Sequence, residues 1–186
     1  KLGVDRLKET AVKFGLGEKV LNNTFENEKK GLVPSTQWKK DNLGKGWVIG
    51  ETLITGIGQG YLQTTPLQLC LMTAQLANGG YKIYPKITVN ENDQTLEEIK
   101  LQIKKNYEFD QATKDGLTEA SDQLLNFIKE KKYNSLYRNP ENIKFILEAM
   151  FASTNEIRGT SYSSRIENKK YQFAGKTGTS QVKRIT

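Results

Sequence analysis

Lys176, Thr177, Gly178 and Thr179 form the four-residue run best equipped for chemistry on a bound substrate. On a strand beside a serine nucleophile, the lysine ammonium can hold a carboxylate, and the two threonine hydroxyls can donate hydrogen bonds to it. Gly178 lets a substrate lie against the backbone, and the Thr179 N–H can point at a developing oxyanion. Two other interpretations compete with this one, namely a phosphate-binding loop and an ordinary turn at the end of a strand.

The phosphate interpretation does not survive the spacing of the glycines. A P-loop requires another glycine five positions before Gly175, so that backbone N–H groups can surround the phosphates, and that position is Lys170. The glycine-rich run at residues 56–61 fails as a dinucleotide fingerprint in the same way, because its last required glycine is Tyr61.

Composition excludes several classes of site. The 186 residues contain no histidine and one cysteine, Cys70. A Cys/His zinc site and a Ser-His-Asp relay therefore cannot be built from this chain alone, and we expect no metal or cofactor. Cys70 lies in an apolar run, so we expect it in the core.

The length predicts one domain. We expect no membrane span, because no stretch approaches about 20 apolar residues, and no signal peptide, because no charged-then-apolar segment opens the sequence. The chain opens on Lys1 in what looks like the middle of an element, so we expect a sequence cut at both ends. The net charge of +7 predicts a basic solvated surface. A rival interpretation, a nucleic-acid module, predicts strongly salt-dependent DNA binding. We expect no nucleic-acid partner, because no nucleic-acid-binding signature accompanies the charge.

Helical periodicity and capping residues predict three helices. The first spans residues 3–14. The second begins after Thr65 with Pro66, and Gln68 completes a capping box. Because residues 67–77 are apolar almost all round, we expect that helix to be buried.

The third begins at Asn139-Pro140. Its expected buried face consists of Ile143, Ile146, Leu147 and Met150. Weaker patterns predict further elements: a loop over residues 17–47 with one turn at 36–40, an extended segment at 81–89, a helix at 114–131, a loop at 157–164 and a strand at 171–182.

Several stretches together resemble one family. Lys176-Thr177-Gly178-Thr179 is similar to the third motif of the penicillin-recognising serine transferases and β-lactamases, where K-T-G accompanies S-x-x-K and S-x-N. The segments GVDRLKETAVKFGLG (3–17), GIGQGYLQTTPLQL (56–69) and RGTSY (158–162) resemble class B penicillin-binding proteins in order and spacing. The likeness covers residues 1–89 and 139–186, and residues 90–138 match poorly, as expected of a lineage-specific insertion.

The resemblance implies the α/β (α+β) fold of a penicillin-binding, serine β-lactamase-like transpeptidase domain, of which this sequence would be a mainly helical part with one active-site strand. It implies a D,D-transpeptidase that cross-links D-Ala-D-Ala stem peptides of peptidoglycan through an acyl-serine and that is acylated by β-lactams. It also implies the periplasmic face of a bacterial inner membrane and a partner glycosyltransferase of the cell-elongation machinery. Lys176 and Thr179 would be catalytic, and Thr177, Gly178 and Thr179 would bind substrate.

Two other short patterns do not qualify as the family's remaining motifs. The S-x-x-K match at residues 180–183 falls on the predicted strand, where residues three apart point to opposite faces. The S-x-N match at residues 153–155 ends a predicted helix, whereas the family's S-x-N motif would precede Gly3. The nucleophile is therefore expected outside this sequence. A serine β-lactamase, a D,D-carboxypeptidase and a non-catalytic β-lactam-sensor-like domain remain alternatives.

Overall fold

The structure is a computed structural model that describes residues 2–21, 25–87 and 134–179. These residues divide into two compact units. One contains the described residues up to Gln75 together with 176–179, and the other contains 76–87 and 134–175. The described residues form five α-helices: α1 Val4–Lys13, α2 Thr36–Leu43, α3 Ile49–Gly56, α4 Pro66–Ala77 and α5 Pro140–Asn155. Two 3₁₀ turns follow, at Tyr162–Ser164 and Lys169–Tyr171.

In the first unit, α4 presents one face to the core. Thr65 and Gln68 form the predicted capping box, since each side chain accepts a hydrogen bond from the other residue's backbone N–H, at 3.0 and 3.2 Å. The expectation of burial all round was wrong. The fully buried positions are Gln68, Leu71 and Gln75, spaced on one helix face, while Cys70 is exposed rather than in the core.

The two buried glutamines of α4 have a clear partner, the loop that follows α1. Gln68 Nε2 donates to the carbonyls of Glu18 and Lys30 at 2.7 and 2.8 Å, and Gln75 Nε2 donates to the carbonyl of Phe14 at 3.0 Å. Irregular backbone needs such partners when it is buried. The side-chain amides therefore replace the hydrogen bonds that regular structure would otherwise provide.

Helices α2 and α3 are joined by an ion pair. Lys39 is only 5% exposed, and its Nζ lies 2.5 Å from Glu51 Oε1. Glu51 Oε2 also accepts a hydrogen bond from the Val48 N–H. The Lys39 hydrogen bond, followed by that of Val48, lowers the pKa of the Glu51 carboxyl below its ordinary value. The turn predicted at 36–40 is part of a longer helix, α2, and α3 was not predicted.

In the second unit, α5 begins where it was predicted to begin. Asn139 Oδ1 accepts a hydrogen bond from the Glu141 N–H, and Pro140 is the first helical residue. Of the expected buried face, Ile143 is 4% exposed and Ile146 is 39% exposed, and Leu147 and Met150 are half-buried. The prediction was therefore correct for Ile143 and wrong for Ile146.

Tyr81 and Tyr137 form a second anchor in this unit. Tyr81 pairs with Ser135 in an antiparallel bridge, and the Tyr137 hydroxyl donates to the Tyr81 hydroxyl at 2.8 Å. Burial, followed by this hydrogen bond, raises the pKa of Tyr137 to about 12. The predicted extended segment at 81–89 is reduced to this bridge within its described part, residues 81–87.

The strand predicted over residues 171–182 is not formed in its described part. Tyr171 closes a 3₁₀ turn, and residues 172–179 have no regular secondary structure. A strand requires a neighbour for its ladder, and the Gly175 N–H bonds to a helix carbonyl instead.

Some predicted features lie outside the described residues, namely the helix at 114–131, most of the poorly matching segment 90–138 and the S-x-x-K pattern at 180–183. Within the described ranges, no helix combines the length and hydropathy of a membrane span.

Candidate active site

Residues 176–179, predicted as the substrate-binding run, are exposed and lie in no helix. The Lys176 ammonium donates to the Thr177 carbonyl at 2.7 Å and lies 3.3 Å from the Thr177 hydroxyl. Among the described residues, and apart from the chain neighbours Thr177 and Thr179, no atom lies within 4 Å of the position that a Cβ on Gly178 would take. The segment therefore offers one ammonium group, two hydroxyls and an unobstructed stretch of backbone at the surface.

The residues just before Lys176 are held by the C-terminal part of α5. The Gly175 N–H donates to the Met150 carbonyl at 3.1 Å. Asn155 Nδ2 donates to the Phe173 carbonyl at 2.9 Å. Two hydrogen bonds on alternate residues thus fix the backbone of residues 173–175, which we call the lead-in segment.

Gly175 allows the lead-in segment to come close to α5. The Thr154 side chain is completely buried. A Cβ added to Gly175 would lie 3.1 Å from Thr154 Oγ1, which is tighter than ordinary van der Waals contact. A glycine at this position therefore serves close approach of the backbone to the helix.

The R-G-T loop at residues 158–162 is attached to the same end of α5. The Ser161 N–H donates to the Ser153 carbonyl at 2.9 Å, and the hydroxyls of Ser153 and Thr160 lie 3.2 Å apart. A Cβ on Gly159 would lie 2.2 Å from the Ser153 carbonyl oxygen, so only glycine fits there. The predicted loop over 157–164 is thus a tightly tied turn ending in a 3₁₀ turn.

The last turn of α5 contacts both loops through Ser153, Thr154 and Asn155, the S-x-N match that does not qualify as the family's motif. Ser153 contacts Thr160, Thr154 faces Gly175, and Asn155 bonds to Phe173. Sequence reasoning missed this role. The available signal was their place in the last turn of a helix, where backbone carbonyls lack intrahelical donors and short polar side chains commonly interact with them.

The arrangement suits binding of an anion or a carboxylate next to exposed backbone N–H groups. Among the described residues, no group of His, Cys, Asp and Glu side chains could hold a metal ion. Within the part of the chain that the structure describes, the hydrogen bonds of the Lys176 ammonium are to Thr177 and not to a serine.

The chain matches the model of one protein family over nearly all of its length. The penicillin binding protein transpeptidase domain matches residues 1–184. A peptidoglycan D,D-transpeptidase MrdA from Acinetobacter baumannii is 29% identical over 185 residues, which is all of this chain and 23% of that protein.

Two solved structures show the same fold. Penicillin-binding protein 2 from Helicobacter pylori, solved in complex with MreC, aligns with a TM-score of 0.67 and 25% identity over 97% of this chain and 27% of that one. Penicillin-binding protein 2 from Pseudomonas aeruginosa, solved with WCK 5153, aligns with a TM-score of 0.56 and 30% identity over 87% of this chain and 30% of that one. The chain spans about a quarter of the length of these relatives. With its mainly helical α+β architecture, it belongs to the penicillin binding protein transpeptidase domain family.

Proposed function

We propose that this chain is the part of a peptidoglycan D,D-transpeptidase that carries the K-T-G-T substrate-binding segment. The complete enzyme would act on stem peptides ending in D-Ala-D-Ala. A serine attacks the amide between the two D-alanines, D-alanine leaves, and an amine of a neighbouring stem peptide accepts the acyl group. Penicillin would acylate the same serine. The observation that carries the proposal is an exposed K-T-G-T segment in a chain that matches the transpeptidase domain from residue 1 to 184.

Each residue of the segment has a defined role in this proposal. The Lys176 ammonium attracts the substrate carboxylate and supports proton movement at the serine, and the hydroxyls of Thr177 and Thr179 donate hydrogen bonds to that carboxylate. The Thr179 N–H contributes to the oxyanion hole, where one donor is typically worth about 3–4 kcal/mol in the transition state. The open space beside Gly178 supports this role, because a peptide can lie there without meeting a side chain.

The proposed reaction also needs catalytic residues beyond the K-T-G-T segment. We propose that the nucleophilic serine, its lysine and the S-x-N residues come from outside these 186 residues. We also propose that residues 1–89 and 139–186 are the part common to the family and that residues 90–138 are a divergent insertion. The Acinetobacter relative is named a peptidoglycan D,D-transpeptidase, which supports placing the complete enzyme at the periplasmic face of a bacterial inner membrane, with a role in cell shape.

One of the same relatives supports the proposed partners of the complete enzyme. The Helicobacter pylori protein was solved as a complex with MreC. That assembly supports a place for the present protein in a cell-elongation complex with a membrane glycosyltransferase that polymerises the lipid-linked precursor.

Replacing Lys176 with alanine in the complete protein tests the proposal. We expect acylation by a fluorescent penicillin to slow roughly 100-fold or more, because charge stabilisation and proton transfer are both lost. The matched control is Lys169→Ala, which removes an exposed lysine of the 3₁₀ turn and should leave labelling unchanged. Unchanged labelling of the Lys176 variant would refute the assignment. Slow release of the penicilloyl group distinguishes a transpeptidase from a β-lactamase.

A further inference from the structure

The last turn of α5 carries three consecutive polar side chains with separate tasks. Ser153 holds the R-G-T loop, Thr154 lies against Gly175, and Asn155 holds the carbonyl of Phe173. None of them belongs to the K-T-G-T segment. The lead-in segment is the stretch of chain through which their effect can reach Lys176.

The side-chain amide of Asn155 makes two hydrogen bonds. Its Nδ2 donates to the carbonyl of Phe151, one turn back in α5, at 3.0 Å and to the carbonyl of Phe173 at 2.9 Å. An asparagine amide has two N–H donors, and the two acceptors account for both. The side chain therefore links the helix to the lead-in segment with a single orientation.

A second contact restricts the same segment. The Gly175 N–H bonds to the Met150 carbonyl, and a Cβ on Gly175 would lie only 3.1 Å from the buried Thr154 hydroxyl, so a side chain there would push the two apart. Phe173 and Gly175 are thus both held to α5, and Lys176 is the next residue along the chain. A movement of this segment would pass directly to the backbone of Lys176.

We propose that Asn155 is a positioning residue for Lys176 and that it acts by holding the lead-in segment against the end of α5. The proposal depends on the function proposed above, because it assigns Asn155 an effect on acylation through Lys176. In this proposal Asn155 contacts Phe151 and Phe173 and acts on neither substrate nor nucleophile directly. A misplacement of about 1 Å at a reacting group can cost roughly 100-fold in rate, so loss of this hydrogen bond should be visible in the acylation step.

A double-mutant cycle in the complete protein tests this. Asn155→Ala is made in the native background and in the Lys176→Ala background, and the rate of acylation by fluorescent penicillin is measured in all four proteins. In the native background we expect a fall of roughly 10- to 100-fold. In the Lys176→Ala background we expect a fall of no more than about twofold, because Asn155 acts through the position of the Lys176 ammonium, so the two effects should not add.

The outcomes separate the two proposals. If Lys176→Ala has no effect, the proposed function fails. If Lys176→Ala slows acylation but Asn155→Ala slows it equally in both backgrounds, the proposed function stands and the positioning role of Asn155 is refuted. An Asn155→Ala variant that acylates at the native rate refutes it as well.

Two further variants keep the test independent of folding. Asn142→Asp changes an exposed asparagine in the first turn of the same helix and should leave both the melting temperature and acylation unchanged. If Asn155→Ala does not yield folded protein, Gly175→Ala takes its place in the cycle. It displaces the same segment through the Cβ contact with Thr154 and leaves Asn155 intact, and the same pattern of effects is expected.

Discussion

Helices α4 and α5 each hold a loop with polar side chains, but in different surroundings. In α4 the anchors are Gln68 and Gln75, which are 0% and 1% exposed. In α5 the anchor of the lead-in segment is Asn155, which is half-buried, and its acceptor belongs to the exposed residue Phe173. The anchoring amides of α4 are therefore shielded from water, whereas the anchoring amide of α5 lies close to the surface.

This difference decides what a lost hydrogen bond costs. When a buried donor is removed, its carbonyl partners stay unsatisfied and stability falls by about 1–3 kcal/mol for each such group. When a half-exposed donor is removed, water can replace it, so little stability is lost while the position of the loop becomes less defined. We therefore expect changes in α4 to lower stability and changes at the end of α5 to lower the rate of acylation.

Gln68→Ala should have the largest effect on stability. The variant leaves the carbonyls of Glu18 and Lys30 without their donor and creates a cavity, which together should cost about 3 kcal/mol or more. Hydrogen exchange in the complete protein measures this locally. The reporters are the backbone amides of Leu32 and Gln63, which bond to each other's carbonyls at 2.8 Å close to Gln68.

The control for this variant is Gln37→Ala on α2. Gln37 is an exposed glutamine whose amide bonds only to another surface side chain, Asp41, among the contacts described for it. Its removal should change stability by no more than about 0.5 kcal/mol. Equal protection of Leu32 and Gln63 in the two variants would contradict the distinction between buried and exposed anchors.

The buried face of α4 also shows where sequence reasoning reaches its limit. The capping box between Thr65 and Gln68 is local, and the sequence predicted it correctly. The choice of Gln68 and Gln75 as buried residues depends on carbonyls that are 38 to 61 positions away in the sequence. A helical pattern of apolar residues contains no information about such distant acceptors, so it indicated burial on all sides instead of on the single face of Gln68, Leu71 and Gln75.

The two units should lose stability at opposite ends of the pH scale. In the first unit the pKa of Glu51 is lowered, so its pairing with Lys39 stabilises the protein above the ordinary carboxyl pKa of about 4.3. This contribution is lost as pH falls from there through the lower pKa of the folded state. The protection factors of the amides of α2 and α3, which relate the exchange rate to that of an unstructured peptide at the same pH, should therefore fall in acid, and they should fall much less in Glu51→Gln.

In the second unit the pKa of Tyr137 is raised to about 12. The unfolded phenol ionises near pH 10. The contribution of Tyr137 to the free energy of unfolding is therefore fully present below pH 10 and is lost as pH rises from about 10 through 12. Absorbance titration of tyrosinate in the native protein and in Tyr137→Phe isolates this group. A difference titration with a midpoint near 10 would show that neither burial nor Tyr81 perturbs it.

In the candidate site too, local sequence patterns predict some features, whereas others depend on contacts between residues far apart in the sequence. The K-T-G-T segment and the start of α5 at Asn139 could be identified from residue types and spacing. The strand over residues 171–182 could not be predicted reliably, because strand formation depends on neighbouring strands and not on alternation alone. The contact of Asn155 with Phe173 joins residues 18 positions apart, and no short pattern specifies it.

The N-caps of α2 and α5 provide the smallest comparison. The Ser35 side chain accepts a hydrogen bond from the Trp38 N–H at 3.1 Å and is 7% exposed. The Asn139 side chain accepts one from the Glu141 N–H at 3.0 Å and is exposed.

Replacing an N-cap residue by alanine costs about 0.5–2 kcal/mol of stability. We expect Ser35→Ala near the upper end, because the unpaired N–H is then shielded from water, and Asn139→Ala near the lower end. Hydrogen exchange in the first turn of each helix measures both. Equal losses would show that burial of the cap contributes nothing, and the contrast between buried and exposed anchors would then apply only to side-chain amides.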